Sequence, residues 1–144
     1  MRVSDTMTRE VKVASPEDTI ARAAELMVLH DTGVAPVGED GKLVGMITDR
    51  DIAVRAVAAG KGPDTRVRDV MSRDVKFCFE DQELEAVARA MADLRVRRLP
   101  VLDRGRRLVG IVSLGDLAVA STDAAAGGAL VGICRPGGDH NQTP

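Results

Sequence analysis

Two short phrases carry the most suggestive chemistry in this chain: Thr48-Asp49-Arg50-Asp51 and Ser113-Leu114-Gly115-Asp116. Each sets a hydroxyl and a carboxylate three residues apart, directly after an apolar run, "LVGMI" in one case and "LVGIV" in the other. If a helix starts there, three residues is nearly one turn, and the two side chains meet at its entry. A carboxylate can accept hydrogen bonds from two neighbouring hydroxyls, such as those of a ribose. A hydroxyl at a helix start, with backbone N–H groups and a positive charge close by, suits a phosphate. The same spacing is also close to a capping box, in which both side chains satisfy the helix's own N–H groups. Both readings stay open at this point, and they are compatible.

The phrases belong to a longer repeat. "VSDTMTREVKV" at 3–13 returns as "VRDVMSRDVKF" at 67–77, an offset of 64 that also matches Pro36 with Pro100. One extra residue between Gly105 and Leu108 makes the later offset 65, which matches Gly45 with Gly110, Thr48 with Ser113 and Asp51 with Asp116. An internal repeat of this length is one supersecondary unit written twice. A first domain over 3–58, a linker over 59–66 rich in Gly and Pro, a second domain over 67–121 and a small-residue tail over 122–144 are expected.

Within each copy the periodicity predicts the elements that must position the phrase. Ile20, Ala23, Ala24 and Met27 lie at helical spacing, giving a helix over 18–30 that Gly33 should stop. "VAPV" at 34–37 reads as a short strand whose Pro36 suits a sheet edge. "EDGK" at 39–42 is a turn, "LVGMI" a second strand, and 48–59 a second helix. The second copy predicts a helix over 81–94, strands over 98–102 and 107–112, and a helix over 114–120. The order is β-α-β-β-α, twice. One unit of this size would be marginal alone, so two are expected to pack sheet to sheet about a pseudo-twofold axis, leaving two related clefts.

Composition bounds the rest. The 144 residues are 44% hydrophobic and 29% charged with net charge −2, as in an ordinary globular protein with no general pull toward nucleic acid or anionic lipid. There is no Trp and no Tyr, and Phe77 and Phe79 are the only aromatics, so a base-stacking nucleic-acid platform is not expected. No run approaches the ~18 apolar residues that span a bilayer, and the N-terminus lacks the apolar stretch of a signal peptide, which gives a cytoplasmic expectation with no membrane partner. Cys78 and Cys134 are too few for a disulfide framework. Cys78, in an apolar strand, reads as a small buried hydrophobe. His30 reads as a helix C-terminal partner, and His140 lies in the polar tail. No pair among these four has zinc-finger spacing, so no metal is expected. No nucleophile is paired with a base, so the chain is not expected to be an enzyme or to carry a catalytic cofactor.

Taken in order, "VSDTMTREVKV", "GVAPV" and "LVGMITDRDI", then "VRDVMSRDVKF", "RRLPV" and "LVGIVSLGDL", resemble tandem CBS domains, the pair known as a Bateman module. The resemblance covers 3–121 and implies a mixed α/β fold of the α+β type. It implies a regulatory module that binds an adenosine-containing ligand (AMP, ADP, ATP or a relative) in clefts between the repeats. It also implies a homodimer, and signalling through a conformational or dimer change to a protein partner not yet identified.

The resemblance assigns contacts residue by residue. Asp116 and Asp51 would hold ribose, and Ser113 and Thr48 phosphate. In the second copy Arg97 and Arg98 stand where the family's basic residues reach phosphate. The matching first-copy positions are Gly33 and Val34, and Arg50 is the substitute there. Val11 and Lys12 would line the base site of the Asp116 cleft, Val75 and Lys76 that of the Asp51 cleft, each from the opposite repeat. A second functional reading is a protein-interaction or dimerisation module with ligand-free clefts, motivated by the weak phosphate equipment of the first copy.

Overall fold

The computed structural model describes residues 1–120 and 122–135. The chain forms two compact units. One is continuous, Lys12–Val75. The other is discontinuous and joins Met1–Val11 to the chain from Lys76 onward. The architecture is α+β with small sheets, as the sequence predicts.

In the continuous unit, α1 spans Ile20–Leu29. Thr19 caps it, its hydroxyl accepting the Arg22 N–H at 3.2 Å. Ile20, Ala23, Leu26 and Met27 face the core, as their helical spacing requires. The helix ends at Asp31, which takes a left-handed φ of 49°, and the Thr32 N–H returns to the Met27 carbonyl at 3.0 Å. Gly33 is therefore not the stop that the sequence suggests. Strand β1 (Val34–Glu39) pairs antiparallel with β2 (Lys42–Thr48). A helical segment follows, wound as a π-helix over Asp51–Val57, with the Ala58 N–H bonded to the Ala53 carbonyl five residues back.

The discontinuous unit repeats the order with one more paired strand. Strand β3 (Cys78–Phe79) lies parallel to β4 (Arg98–Leu102), and β4 is antiparallel to β5 (Leu108–Ser113). Helix α2 spans Leu84–Leu94 and ends at a left-handed Arg95, the repeat equivalent of Asp31. Helix α3 spans Leu114–Ala120. The small-residue tail then forms a further helix, α4 (Asp123–Cys134), whose Ala129, Gly132 and Ile133 are buried. A Cβ on Gly132 would lie 2.6 Å from the Ala92 Cα and carbonyl oxygen, so α4 meets α2 at a backbone-to-backbone distance only glycine allows. Ser121, His140 and the segment from Pro136, expected at the sequence level to be mobile, lie outside the described residues.

Each unit is closed by the opening segment of the other sequence copy. In the discontinuous unit the Val3 N–H bonds the Gln82 carbonyl at 3.0 Å, and Thr8 and Ile111 exchange two N–H···O bonds of 2.9 Å. In the continuous unit the Val67 N–H bonds the Asp18 carbonyl at 2.8 Å, and Ser72 and Met46 exchange bonds of 2.8 and 3.0 Å. The segment that begins the first copy therefore folds with the body of the second, and the reverse. Val3 and Val67, both fully buried, anchor the two segments in two separate apolar cores. Those cores are built from Val, Leu, Ile, Ala and Met with Cys78, and no polar or charged residue is buried among the described residues.

The two exchanged bridges set a strict condition on one residue each. A Cβ on Gly110 would lie 2.6 Å from the Thr8 carbonyl oxygen, and one on Gly45 would lie 2.6 Å from the Met71 sulfur and 2.9 Å from the Ser72 carbonyl. Gly45→Ala and Gly110→Ala should each destabilise the fold by about 1–3 kcal/mol in urea titrations. Gly62→Ala, with open space around it, should stay within about 0.5 kcal/mol. A neutral result at Gly110 would mean that the opening segment does not clamp β5.

Candidate functional site

The two phrases form matching turns between a strand and a helix. The Thr48 hydroxyl accepts the Asp51 N–H at 3.0 Å, and Asp51 Oδ2 accepts the Thr48 N–H at 2.9 Å. The Ser113 hydroxyl accepts the Asp116 N–H at 3.1 Å, and Asp116 Oδ2 accepts the Ser113 N–H at 2.8 Å. Both are complete capping boxes. The structural reading of the spacing therefore holds in both copies. Each box uses one carboxylate oxygen and one hydroxyl lone pair, and leaves the hydroxyl proton and Oδ1 for other chemistry. All four side chains are half-buried.

In the discontinuous unit the β4–β5 register sets Arg98 directly opposite Ser113. The Leu114 N–H bonds the Arg97 carbonyl at 2.8 Å, so the backbone of Arg97 is tied to the first residue of α3. Arg97 is exposed and Arg98 half-buried. Arg97, Arg98, Ser113 and Asp116 thus share one edge of one unit. Val11 lies in the same compact unit as Asp116, because the opening segment crosses over, while Lys12 starts the other unit. The Val11 N–H is bonded to the Arg9 carbonyl at 3.0 Å, so the Val11 main chain offers its carbonyl and not its N–H to a ligand.

The continuous unit has the same strand register and capping box and different charges. Val34 stands opposite Thr48, and the Asp49 N–H bonds the Gly33 carbonyl at 2.9 Å. The Asp49 carboxylate lies over Gly33, 2.6 Å from where a Cβ would be. An acid thus covers the position equivalent to Arg97. Asp51 Oδ1 faces Arg55 at 3.9 Å, whereas the residue equivalent to Arg55 beside Asp116 is Ala120. Arg50 is half-buried, and its N–H bonds Asp49 Oδ1 at 2.8 Å. Val75 closes this unit with its N–H on the Arg73 carbonyl at 3.1 Å, and Lys76 opens the other.

Sequence reasoning missed Asp49 and Arg55 as modifiers of the Asp51 copy. It also missed what the two phenylalanines do. Their rings meet edge to face, 5.5 Å apart at 83°. Arg104 lies 4.2 Å over Phe79 and Arg106 lies 5.6 Å over Phe77. Arg104 also forks onto Asp81 with two bonds of 2.8 Å, and that hydrogen bonding holds the Asp81 carboxyl below its ordinary range. These arginines brace the β4–β5 hairpin against β3. The signal was present in "DRGRR" at 103–107, but composition alone does not say which arginines stack.

Cys78 is buried and Cys134 exposed. Burial pushes the Cys78 thiol up to about 12. No group of three or more His, Cys, Asp or Glu that could hold a metal ion occurs among the described residues. No helix there is long and apolar enough to cross a membrane.

The CBS domain family model matches residues 3–57 and 67–123, and the chain belongs to that family. It is 47% identical over 132 residues to the CBS domain-containing protein YhcV of Bacillus subtilis, covering 91% of this chain and 94% of that one. Among solved structures, Hypoxic Response Protein I with two coordinated zinc ions superposes with a TM-score of 0.77 at 32% identity, over 85% of this chain and all of that one. CBSX2 in complex with AMP superposes with a TM-score of 0.73 at 29% identity, over 83% and 94% of the two chains.

Two outcomes follow from the local geometry. Thr48→Ala and Ser113→Ala should each cost about 1 kcal/mol in chemical denaturation without any ligand, because each removes a cap. Burial raises the folded Cys78 pKa above its unfolded value, so that contribution is complete below the ordinary thiol pKa of ~8.5 and is lost as pH rises toward about 12. Stability curves of the parent and of Cys78→Val should converge in slope below pH 8 and part above it.

Proposed function

We propose that the chain is a regulatory module that binds an adenine nucleotide at the β4–β5–α3 edge of its discontinuous unit, and that it is not an enzyme. The observation that carries this is the meeting of Arg98, Ser113 and Asp116 across one ladder pair and one capping box, with Leu114 where the other copy has Asp49. The Ser113 hydroxyl, whose oxygen already accepts the Asp116 N–H, donates its proton to a phosphate oxygen. The guanidinium groups of Arg97 and Arg98 add charge and further donors. Asp116 Oδ1 accepts from a ribose hydroxyl. The Val11 carbonyl accepts from an exocyclic amine of the base, and the Val11 side chain supplies an apolar wall. The aspartate holds hydroxyls here; it is not asked to take a proton. The AMP complex of CBSX2 supports the ligand class.

The copy in the continuous unit is read differently. Asp49 over Gly33 repels a phosphate, and Arg55 already faces the second oxygen of Asp51. There the Thr48–Asp51 pair serves the helix alone, and Arg50, Val75 and Lys76 are given no part in binding. This favours the interaction-module reading for that unit only.

Bound nucleotide would shift the chain toward the state that fits it best, to be read in the cytoplasm by a second copy or by a partner protein. In melting experiments, AMP or ATP at about 100 times its Kd should add about 2.7 kcal/mol of stability. Arg98→Ala and Asp116→Asn should abolish that gain, and Asp51→Asn should leave it intact. Identical melting of the parent with and without millimolar nucleotide would overturn the proposal. Loss of the response in Asp51→Asn alone would move the site to the other unit.

A further inference from the structure

Strand β4 sorts its side chains by face. Leu99 and Val101, with Val112 opposite Leu99, turn into the apolar core. Successive side chains of a strand point to opposite faces, so Arg98 and Pro100, with their partners Ser113 and Ile111, share the other face. Directly paired residues on one face hold their Cβ atoms about 4.5–5.5 Å apart. The ladder therefore fixes Arg98 beside the Ser113 hydroxyl. Arg97 lies one residue before the strand and is exposed, so no ladder pair holds its side chain.

Charge on this face is unbalanced. Arg22, Arg55, Arg68 and Arg104 each have an acid within ion-pairing distance. Arg98 is half-buried, yet among the described residues neither an ion pair nor a side-chain hydrogen bond holds its guanidinium. Asp116 engages Ser113 through the Ser113 main-chain N–H and forms no ion pair with Arg98. Two opposite charges thus flank one hydroxyl without neutralising each other. A cation partly withdrawn from water and left unpaired is costly, and an anion placed beside it offsets that cost.

We infer that Arg98 sets the charge class of the ligand: the site takes adenosine whose 5′ carbon carries an anionic phosphate, and refuses adenosine carrying a neutral thioether or a cationic sulfonium there. This rests on the nucleotide reading of this site and sharpens it. A 5′-phosphate puts its charge between the Ser113 hydroxyl and Arg98. A thioether covers Arg98 from water and leaves it unpaired, and a sulfonium sets cation against cation. Discrimination comes from the unmet charge and the repelled one more than from added attraction. Arg97, exposed, adds only a screened attraction, so it changes affinity slightly and the class of ligand not at all.

The experiment is titration calorimetry on the full chain at about 0.15 M salt, with AMP, 5′-methylthioadenosine and S-adenosylmethionine as probes and circular dichroism to verify folding. The parent should bind AMP ~30-fold or more tightly than the thioether, with the sulfonium weakest. Arg98→Met, close in length and uncharged, should weaken AMP by ~30-fold or more and close the gap between AMP and the thioether, as loss of a charged hydrogen-bonding partner does. Arg98→Gln provides the same test should that variant misfold. Arg98→Lys, which keeps the charge, should keep AMP ahead, and Arg97→Met should cost AMP less than ~5-fold. AMP and thioether bound alike by the parent, a sulfonium bound as tightly as AMP, or a gap that survives Arg98→Met and Arg98→Gln overturns this inference and leaves the adenosine site in place. Binding of none of the three probes overturns the nucleotide reading and this inference with it.

Discussion

Everything in this molecule depends on two short exchanges of backbone hydrogen bonds, Thr8 with Ile111 and Ser72 with Met46. Each clamps an opening segment beside the strand that leads to a capping-box turn, and each is possible because the strand carries glycine, Gly110 or Gly45, where the segment's carbonyl and methionine press in. The clamp fixes β5 and β2, the strands fix Ser113 and Thr48, and those hydroxyls start the helices that hold Asp116 and Asp51. Position passes from backbone to side chain with no long flexible link. A site for a small ligand needs that economy of motion, because its contacts must be held within fractions of an ångström.

The capping boxes show how residues that start a helix keep part of their hydrogen-bonding capacity in reserve. A box consumes one oxygen of the carboxylate and one lone pair of the hydroxyl, and both groups have more to offer. Whether the remainder is useful is decided by neighbours outside the phrase. Beside Asp116 they are Ala120, Arg97 and Arg98. Beside Asp51 they are Arg55 and the Asp49 carboxylate over Gly33. Two copies with the same strand pairing and the same capping box thus differ in electrostatics through the side chains around them.

Much of this was legible in the residues. The repeat, its offset, the paired strands and the phrase itself follow from spacing, and β4 and α3 lie where periodicity put them. Other features were hidden for definite reasons. Gly33 looked like a helix stop, but Asp31 can take the left-handed turn itself, and the glycine instead makes room for Asp49. The tail was visible as small residues, yet its helical packing on α2 depends on Gly132 meeting Ala92, a long-range match that no local pattern reports. The crossing of the opening segments was equally invisible, because a repeat in sequence says that two pieces are alike and not which piece each one completes. The unit to which Val11 and Val75 each belong was not legible either.

That crossing has a consequence for how such a chain must be assembled. A polypeptide holding a single copy would own a body and a clasp that here serve different units, and lending the clasp to a twin while borrowing one in return would reproduce the pairing seen in this chain. Joining the copies in tandem turns that loan between strangers into an exchange within one molecule, at the millimolar effective concentration a short tether confers. The segment at 59–66 lies inside the continuous unit and joins the body of that unit to the clasp that completes it.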